Sequence, residues 1–437
     1  MNNRLLIKDA TLVTMDEDRD ENRGVINSGN LYIENDSIKQ ITSGTEALPD
    51  DVQIISGKNK VVIPGLVNLH NHAAMTLFRS YADDYPLMEW LTKKIFPAEA
   101  KLTEEDVYWG TSLALLEMIQ GGTTAFVDMY YFMEQTARAC QEAGIRAMLS
   151  QVFIGIETNN KRLNNLEDAI NFIENWQDES NGRIQTILGP HALYTCPPDF
   201  LKRMLKETEH LNTIIHIHLS ESKGEVEEAL NTYQKTPVAL LDELGLFERQ
   251  VIAGHCVHLN DEDIEILSSR GVGISHNPCS NLKLANGIAP LKKLLDHGAC
   301  VGLGTDGAAS NNNLDMFEEI KLCSLLQKGM LEDPTAIPAT QAFELATRGG
   351  AKALKKENTL GVLKEGAKAD LAIVDFNKPH LQPHNDPVAN LVYSASAGDV
   401  ETVIVDGRIL YHKDEFLTLD QERIYYEAAK CSKRLRQ

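Results

Sequence analysis

Between residues 65 and 305 short apolar runs alternate with stretches of helical periodicity, and no other feature of this 437-residue sequence restricts the fold so tightly. The runs fall at 65–69, 123–128, 147–153, 186–190, 214–219, 251–255, 273–276 and 301–305. Each has strand length and is rich in Val, Ile, Leu or Ala, whereas the intervals 104–120, 133–143 and 198–210 carry helical patterns. Parallel strands need a crossover between them, so repeated strand–helix units predict a parallel sheet. About eight such units predict a (β/α)8 TIM barrel, an α/β fold that typically takes about 250 residues.

The ends of the chain have a different texture. Runs at 4–15, 29–34, 37–41 and 60–63 are β-branched and punctuated by Asn, Asp or Gly, and the tail repeats this at 369–375 and 400–410. Val405-Asp406-Gly407-Arg408 reads as a hairpin turn. Two β-rich ends around one middle predict a small composite β-sandwich: residues 1–62 and 358–437 supply its two parts, and 63–357 form the catalytic barrel.

Composition narrows the partners. The 63 acidic against 42 basic residues give a net charge of −21, which repels phosphate backbones and anionic membrane surfaces. Nucleic acid and membrane are excluded as expected partners, and the lack of an apolar leader or spanning run predicts a cytoplasmic protein. The seven cysteines are odd in number and never spaced C-x-x-C, which argues against a disulfide framework or a zinc ribbon and for reduced thiols.

In such a barrel chemistry sits at the C-terminal ends of the strands. The first run closes on Asn68-Leu69-His70-Asn71-His72, and alternation sends two imidazoles spaced i, i+2 to one side. Taken alone, this H-x-H is equally a pair of polar strand-end residues. The fifth run, Ile215-His216-Ile217-His218, is followed by Glu221; the sixth ends at His255; the eighth closes on Gly304-Thr305-Asp306-Gly307. Four polar strand ends in order point to one metal held by His70, His72, His218 and Asp306. Imidazole nitrogen with one carboxylate oxygen suits Zn2+, with Fe2+ the alternative. A metal of this kind makes water a nucleophile at neutral pH, with Glu221 carrying a proton and His255 steadying the reacting oxygen.

These motifs resemble the amidohydrolase superfamily, and the likeness spans nearly the whole chain, from Val62-Ile63-Pro64-Gly65-Leu66-Val67 through the closing Gly366-Ala367-Lys368-Ala369-Asp370-Leu371. The fourth strand, Ile187-Leu188-Gly189-Pro190-His191, lacks the bridging lysine of binuclear members, which favours one metal. Gly254-His255-Cys256-Val257-His258, Ser275-His276-Asn277-Pro278-Cys279-Ser280-Asn281 and Gly304-Thr305-Asp306-Gly307-Ala308-Ala309-Ser310 look like the 5'-methylthioadenosine/S-adenosylhomocysteine deaminase subgroup. The resemblance implies hydrolytic removal of the 6-amino group of an adenine nucleoside, with Glu99 on the ribose hydroxyls, His191 on the purine, Glu221 at its N1, and Trp90, Ser310 and Arg162 among the substrate contacts. It also implies a homo-oligomer, in which Arg162 reaches a neighbouring site.

One position departs from the pattern. Gln151 stands where members that bind a homocysteine carboxylate carry an arginine, and an amide cannot replace a guanidinium that grips a carboxylate twice. S-adenosylhomocysteine is therefore expected to be a poorer substrate than methylthioadenosine or adenosine. The rival readings are a guanine-type deaminase or a triazine chlorohydrolase of the same branch, and a non-catalytic assembly protein on the same fold. Such assembly proteins usually lose metal ligands, and here the four positions and Glu221 are intact. The zinc cytidine deaminase fold is discarded, because Pro278-Cys279 lacks the second cysteine of P-C-x-x-C.

Overall fold

The computed structural model describes residues 3–18, 24–43, 52–156 and 166–436. Eight parallel strands run in sequence order around one sheet: β6 (Leu66–Asn71), β7 (Thr123–Tyr130), β8 (Arg146–Phe153), β9 (Ile184–Pro190), β10 (Ile215–Leu219), β11 (Val251–His255), β12 (Gly273–His276) and β13 (Cys300–Leu303). They coincide with the eight runs read from the sequence to within a few residues at each end. Alternate side chains divide between two apolar clusters, as period two requires. Phe126, Leu149, Leu188, Ile215, Val251 and Ile274 pack with helix residues such as Leu115 and Met133, while Ala125, Val127, Met148, Ile187 and Ile252 gather on the other face.

The first and last strands meet through polar groups. Asn68 Nδ2 donates to Thr305 Oγ1 at 2.7 Å, its Oδ1 accepts from the Thr305 amide at 3.0 Å, and the Asp306 amide donates to the His70 carbonyl at 2.9 Å. Closure thus fixes His70 beside Asp306, residues far apart in the chain.

The two ends of the chain share a nine-stranded mixed sheet, built from β1 (Arg4–Val13), β2 (Val25–Glu34), β3 (Ser37–Ser43), β4 (Gln53–Ser56), β5 (Lys60–Pro64), β14 (Leu371–Asp375), β15 (Val400–Val405), β16 (Arg408–His412) and β17 (Glu415–Phe416). Antiparallel pairing of β5 with β14 joins the N-terminal to the C-terminal segment. Leu5, Ile7, Leu12, Leu31 and Ile33 from one end and Leu371, Ile373 and Ile404 from the other form a core of their own. Strand β4 was not foreseen, because its alternating Gln53-Ile54-Ile55-Ser56 is only four residues long.

The tail also holds a helix, Gln421–Leu435, that leaves this sheet and lies against the helix Glu104–Gln120 of the barrel; Arg434 pairs with Asp106, and the Ser432 hydroxyl donates to the Leu77 carbonyl. The seven cysteines are free thiols, five of them buried. Among the described residues no helix is long and apolar enough to cross a membrane.

Arg146 ties barrel to sheet. Its guanidinium is buried and donates to Asp370 from Nε at 2.8 Å and to Asp406 from Nη2 at 2.6 Å. Removing one partner of a buried ion pair leaves uncompensated charge and costs about 3–5 kcal/mol. Arg146→Ala is therefore expected to lower unfolding free energy by about that amount in urea titrations, with Arg146→Lys intermediate because it cannot reproduce the two-pronged contact.

Candidate metal centre and adjoining cavity

The strand ends converge. His72 Nε2 lies 3.2 Å from Asp306 Oδ1 and 3.2 Å from His218 Nε2, and His70 Nε2 lies 3.6 Å from the same Asp306 oxygen. The ligand atoms of His70, His72 and His218, and those of His70, His255 and Asp306, lie within 4.8 Å of one another. Gly254 lets this happen: a Cβ there would stand 3.2 Å from His70 Cε1. Gly304 does the same on the other side, where a Cβ would come 2.8 Å from the His70 amide nitrogen. Ser220, His255, Cys256 and Asp306 all have positive φ, from 50° to 73°. Such backbone costs on the order of 1–3 kcal/mol per residue and persists where a site over-determines it.

Each ring is oriented from behind. His72 Nδ1 donates to the Met129 carbonyl at 2.6 Å and His218 Nδ1 to the His191 carbonyl at 2.8 Å, which leaves both Nε2 atoms facing inward. Asp306 Oδ2 accepts from Ser280 Oγ at 2.6 Å and Ser310 Oγ at 2.9 Å, and Oδ1 from the Gly307 amide at 2.7 Å. Burial opposes charge throughout and holds His70 down to about 4. At His72 burial acts the same way, but the Asp306 carboxylate and the Met129 carbonyl outweigh it and raise the ring to about 9.

A divalent metal fits this donor set on two counts. Three imidazole nitrogens and one carboxylate oxygen are the donors that zinc and similar ions take. His70 Nε2 is buried with no hydrogen-bond partner among the described residues, an orphan that a cation at this point would satisfy.

Above the cluster a cavity partly open to solvent is lined by His72, Trp90, Glu99, His191, Glu221, His255 and Asp306 among others. The Glu221 carboxyl is raised by burial; its Oε1 accepts from Asn286 Nδ2 at 2.8 Å and its Oε2 lies 3.9 Å from His255 Nε2. His255 is in turn fixed by Asn281, 2.9 Å from its Nδ1. Burial holds His191 down to about 3, and its Nδ1 lies 2.9 Å from Thr195 Oγ1. At the far end Glu99 accepts from the hydroxyls of Tyr130 at 2.7 Å and Tyr131 at 3.1 Å, and burial raises it to about 7.

The structure thus brings together His70, His72, His218, Asp306, Glu221, His255, His191, Glu99 and Trp90. Ser310 stands behind the carboxylate: its hydroxyl donates to Asp306 Oδ2, and it is not among the residues lining the cavity. Arg162 lies outside the described residues. Gln151 borders a separate hollow with Glu104 and Glu134, and its Oε1 accepts the Met133 amide at the start of the helix Met133–Ala143.

Tyr130 and Tyr131 escaped sequence reading, although two tyrosines at the end of β7 were a visible signal. So did the apolar wall of Leu87, Leu91, Ile95 and Phe96, which looks like an ordinary amphipathic segment until it folds over the strand ends.

Known proteins share this architecture and much of the sequence. The model of the Amidohydrolase family matches residues 61–410. A 5-methylthioadenosine/S-adenosylhomocysteine deaminase of Dictyoglomus thermophilum is 53% identical over 428 residues, 98% of either chain. A 5'-deoxyadenosine deaminase of Methanosarcina mazei is 48% identical over 99% of this chain and 98% of its own. The crystal structure of an adenosine deaminase from Xanthomonas campestris with bound zinc superimposes with a TM-score of 0.91 at 33% identity, covering 99% of this chain and 98% of that one.

Proposed function

The chain belongs to the amidohydrolase family, and from that premise we propose that it hydrolyses the 6-amino group of adenine nucleosides, releasing ammonia and an inosine-type product. The observation that carries this reading is the correspondence over nearly the full length with relatives named as deaminases of 5'-modified adenosines.

His70, His72, His218 and Asp306 hold one divalent metal, which we assign as Zn2+ with Fe2+ the alternative. When bound, the metal supplies a water that is nucleophilic at neutral pH. The side chains do the rest. Glu221, whose carboxyl burial raises above its ordinary value, gives its proton to N1 of the adenine as water adds to C6. His255 and Asp306 take the proton that the water loses and orient the new C–O bond. That proton passes to the departing nitrogen, the C6–N bond breaks, and the remaining hydroxyl proton returns to Glu221, so ammonia leaves and the carboxyl is restored. His191 contacts the purine, Trp90 forms part of the wall, and Glu99 accepts from the ribose hydroxyls. Incubating metal-loaded protein with methylthioadenosine, S-adenosylhomocysteine and adenosine tests the assignment; no ammonia from any of the three would sink it.

Two further outcomes follow from the same arrangement. Glu99→Gln swaps an acceptor for a donor toward the ribose diol, and losing a charge-assisted hydrogen bond costs about 1.5–3 kcal/mol. It should lower kcat/KM for adenosine by about 10- to 100-fold, while 2',3'-dideoxyadenosine is turned over equally by both proteins. Gln151→Arg should raise activity toward S-adenosylhomocysteine relative to methylthioadenosine; an unchanged ratio would remove Gln151 from substrate choice.

A further inference from the structure

His216 is the one histidine of the H-x-H run on β10 that the proposed reaction does not use. It lies two residues before His218, on the same side of the strand and one layer deeper. Its ring is fully buried and stands edge-on to His70, with centroids 4.9 Å apart at 86° and His216 Nε2 2.8 Å from His70 Nδ1.

We propose that His216 is a positioning residue of the metal centre, accepting the Nδ1 proton of His70 and so keeping the His70 Nε2 lone pair free for the metal. The comparison with the other two rings carries the argument. His72 and His218 point Nδ1 at backbone carbonyls, which can only accept, so both rings carry their proton there and offer Nε2. Among the described residues His70 Nδ1 has no such carbonyl. Its Nδ1 faces an imidazole, which can donate or accept, and one proton lies between the two rings.

If His216 were the donor, the proton of a neutral His70 would sit on Nε2, and His70 would offer the cluster no lone pair. Acceptance gives all three rings the same tautomer. It also places the His216 proton on Nδ1, which is buried with no partner among the described residues. An apolar side chain would avoid that orphaned group, so packing alone does not account for a histidine here.

The inference rests on the metal set of His70, His72, His218 and Asp306. Its test is Zn2+ affinity, measured by competition with a chromophoric chelator, in wild type, His216→Met and His216→Gln, together with thermal denaturation of the three metal-free proteins. Methionine fills similar volume without a strong acceptor, whereas glutamine places a carbonyl oxygen near the position of Nε2. The expected result is a 10- to 100-fold loss of affinity in His216→Met, recovery of most of it in His216→Gln, and metal-free His216→Met melting no lower than wild type.

Equal affinity in wild type and His216→Met overturns the inference, and so does an equal loss in both variants, which marks a packing role. Should neither variant fold, long-range spectra of the 15N-histidine-labelled wild-type Zn2+ form still decide it: protons on Nδ1 of His70 and His216 support acceptance, and a proton on His216 Nε2 overturns it. A wild-type chain that binds no Zn2+ overturns the metal set itself, which separates failure of that reading from failure of this one alone.

Discussion

Replacing Glu221 by glutamine should lower kcat/KM for methylthioadenosine by about 10²- to 10⁴-fold while leaving one metal per chain. Glutamine keeps the shape of the side chain and can keep a contact with Asn286, but it has no acidic proton for the ring nitrogen. Glu221 is outside the proposed ligand set, so metal content reports that the centre survives. The wild-type rate should also fall on the alkaline side. Burial raises the Glu221 carboxyl, so the protonated form that donates to N1 persists above the usual carboxylate range and is lost as pH rises further. Glu221→Gln should lack that descending limb. Full activity in the variant would remove Glu221 from proton transfer and reopen the chlorohydrolase reading, which chloride release from a chlorinated triazine would then test.

Stripping the metal should abolish ammonia release, and adding one equivalent of Zn2+ or Fe2+ should restore it, the better of the two naming the ion. Asp306→Asn should reproduce most of this loss, by about 10³-fold or more. The carboxylate stands at the meeting point of His70 and His72, takes hydrogen bonds from Ser280, Ser310 and the Gly307 amide, and is also the proposed acceptor of the water proton. An amide weakens all of these roles together. Because a ligand that binds only the folded chain stabilises it, the metal-loaded protein should also melt higher than the stripped one. Undiminished activity after complete metal removal, verified by elemental analysis, would overturn the centre.

The sequence carried the barrel because the signal there is local. A run such as Val251-Ile252-Ala253-Gly254-His255 states its own strand, its length and its polar end, and the eight runs in order state the topology. The hairpin at Val405–Arg408 was equally local, since Asp406-Gly407 supplies the positive φ that a tight turn requires. The helix Gln421–Leu435 shows the limit. It is polar over much of its length, and its buried stripe of Ile424, Ala428, Cys431 and Leu435 has meaning only once the helix Glu104–Gln120 is beside it.

The same division runs through the site. His70, His72, His218, Asp306, Glu221 and His255 were legible in the sequence because each ends or closely follows a strand, where a barrel exposes side chains. What holds them is set by closure of the barrel, which depends on residues with no sequence proximity: Asn68 with Thr305, His70 with His216, Tyr130 with Glu99. Ser310, which its motif placed at the site, turns its hydroxyl onto Asp306 Oδ2 and the Gly307 carbonyl within its own loop. Sequence alone determined which elements form and which polar groups stand at their ends, because backbone period and turn chemistry are written residue by residue. Only the tertiary structure decided which of those groups touch, because contact across a closed barrel is a property of the ring of strands and of no single one of them.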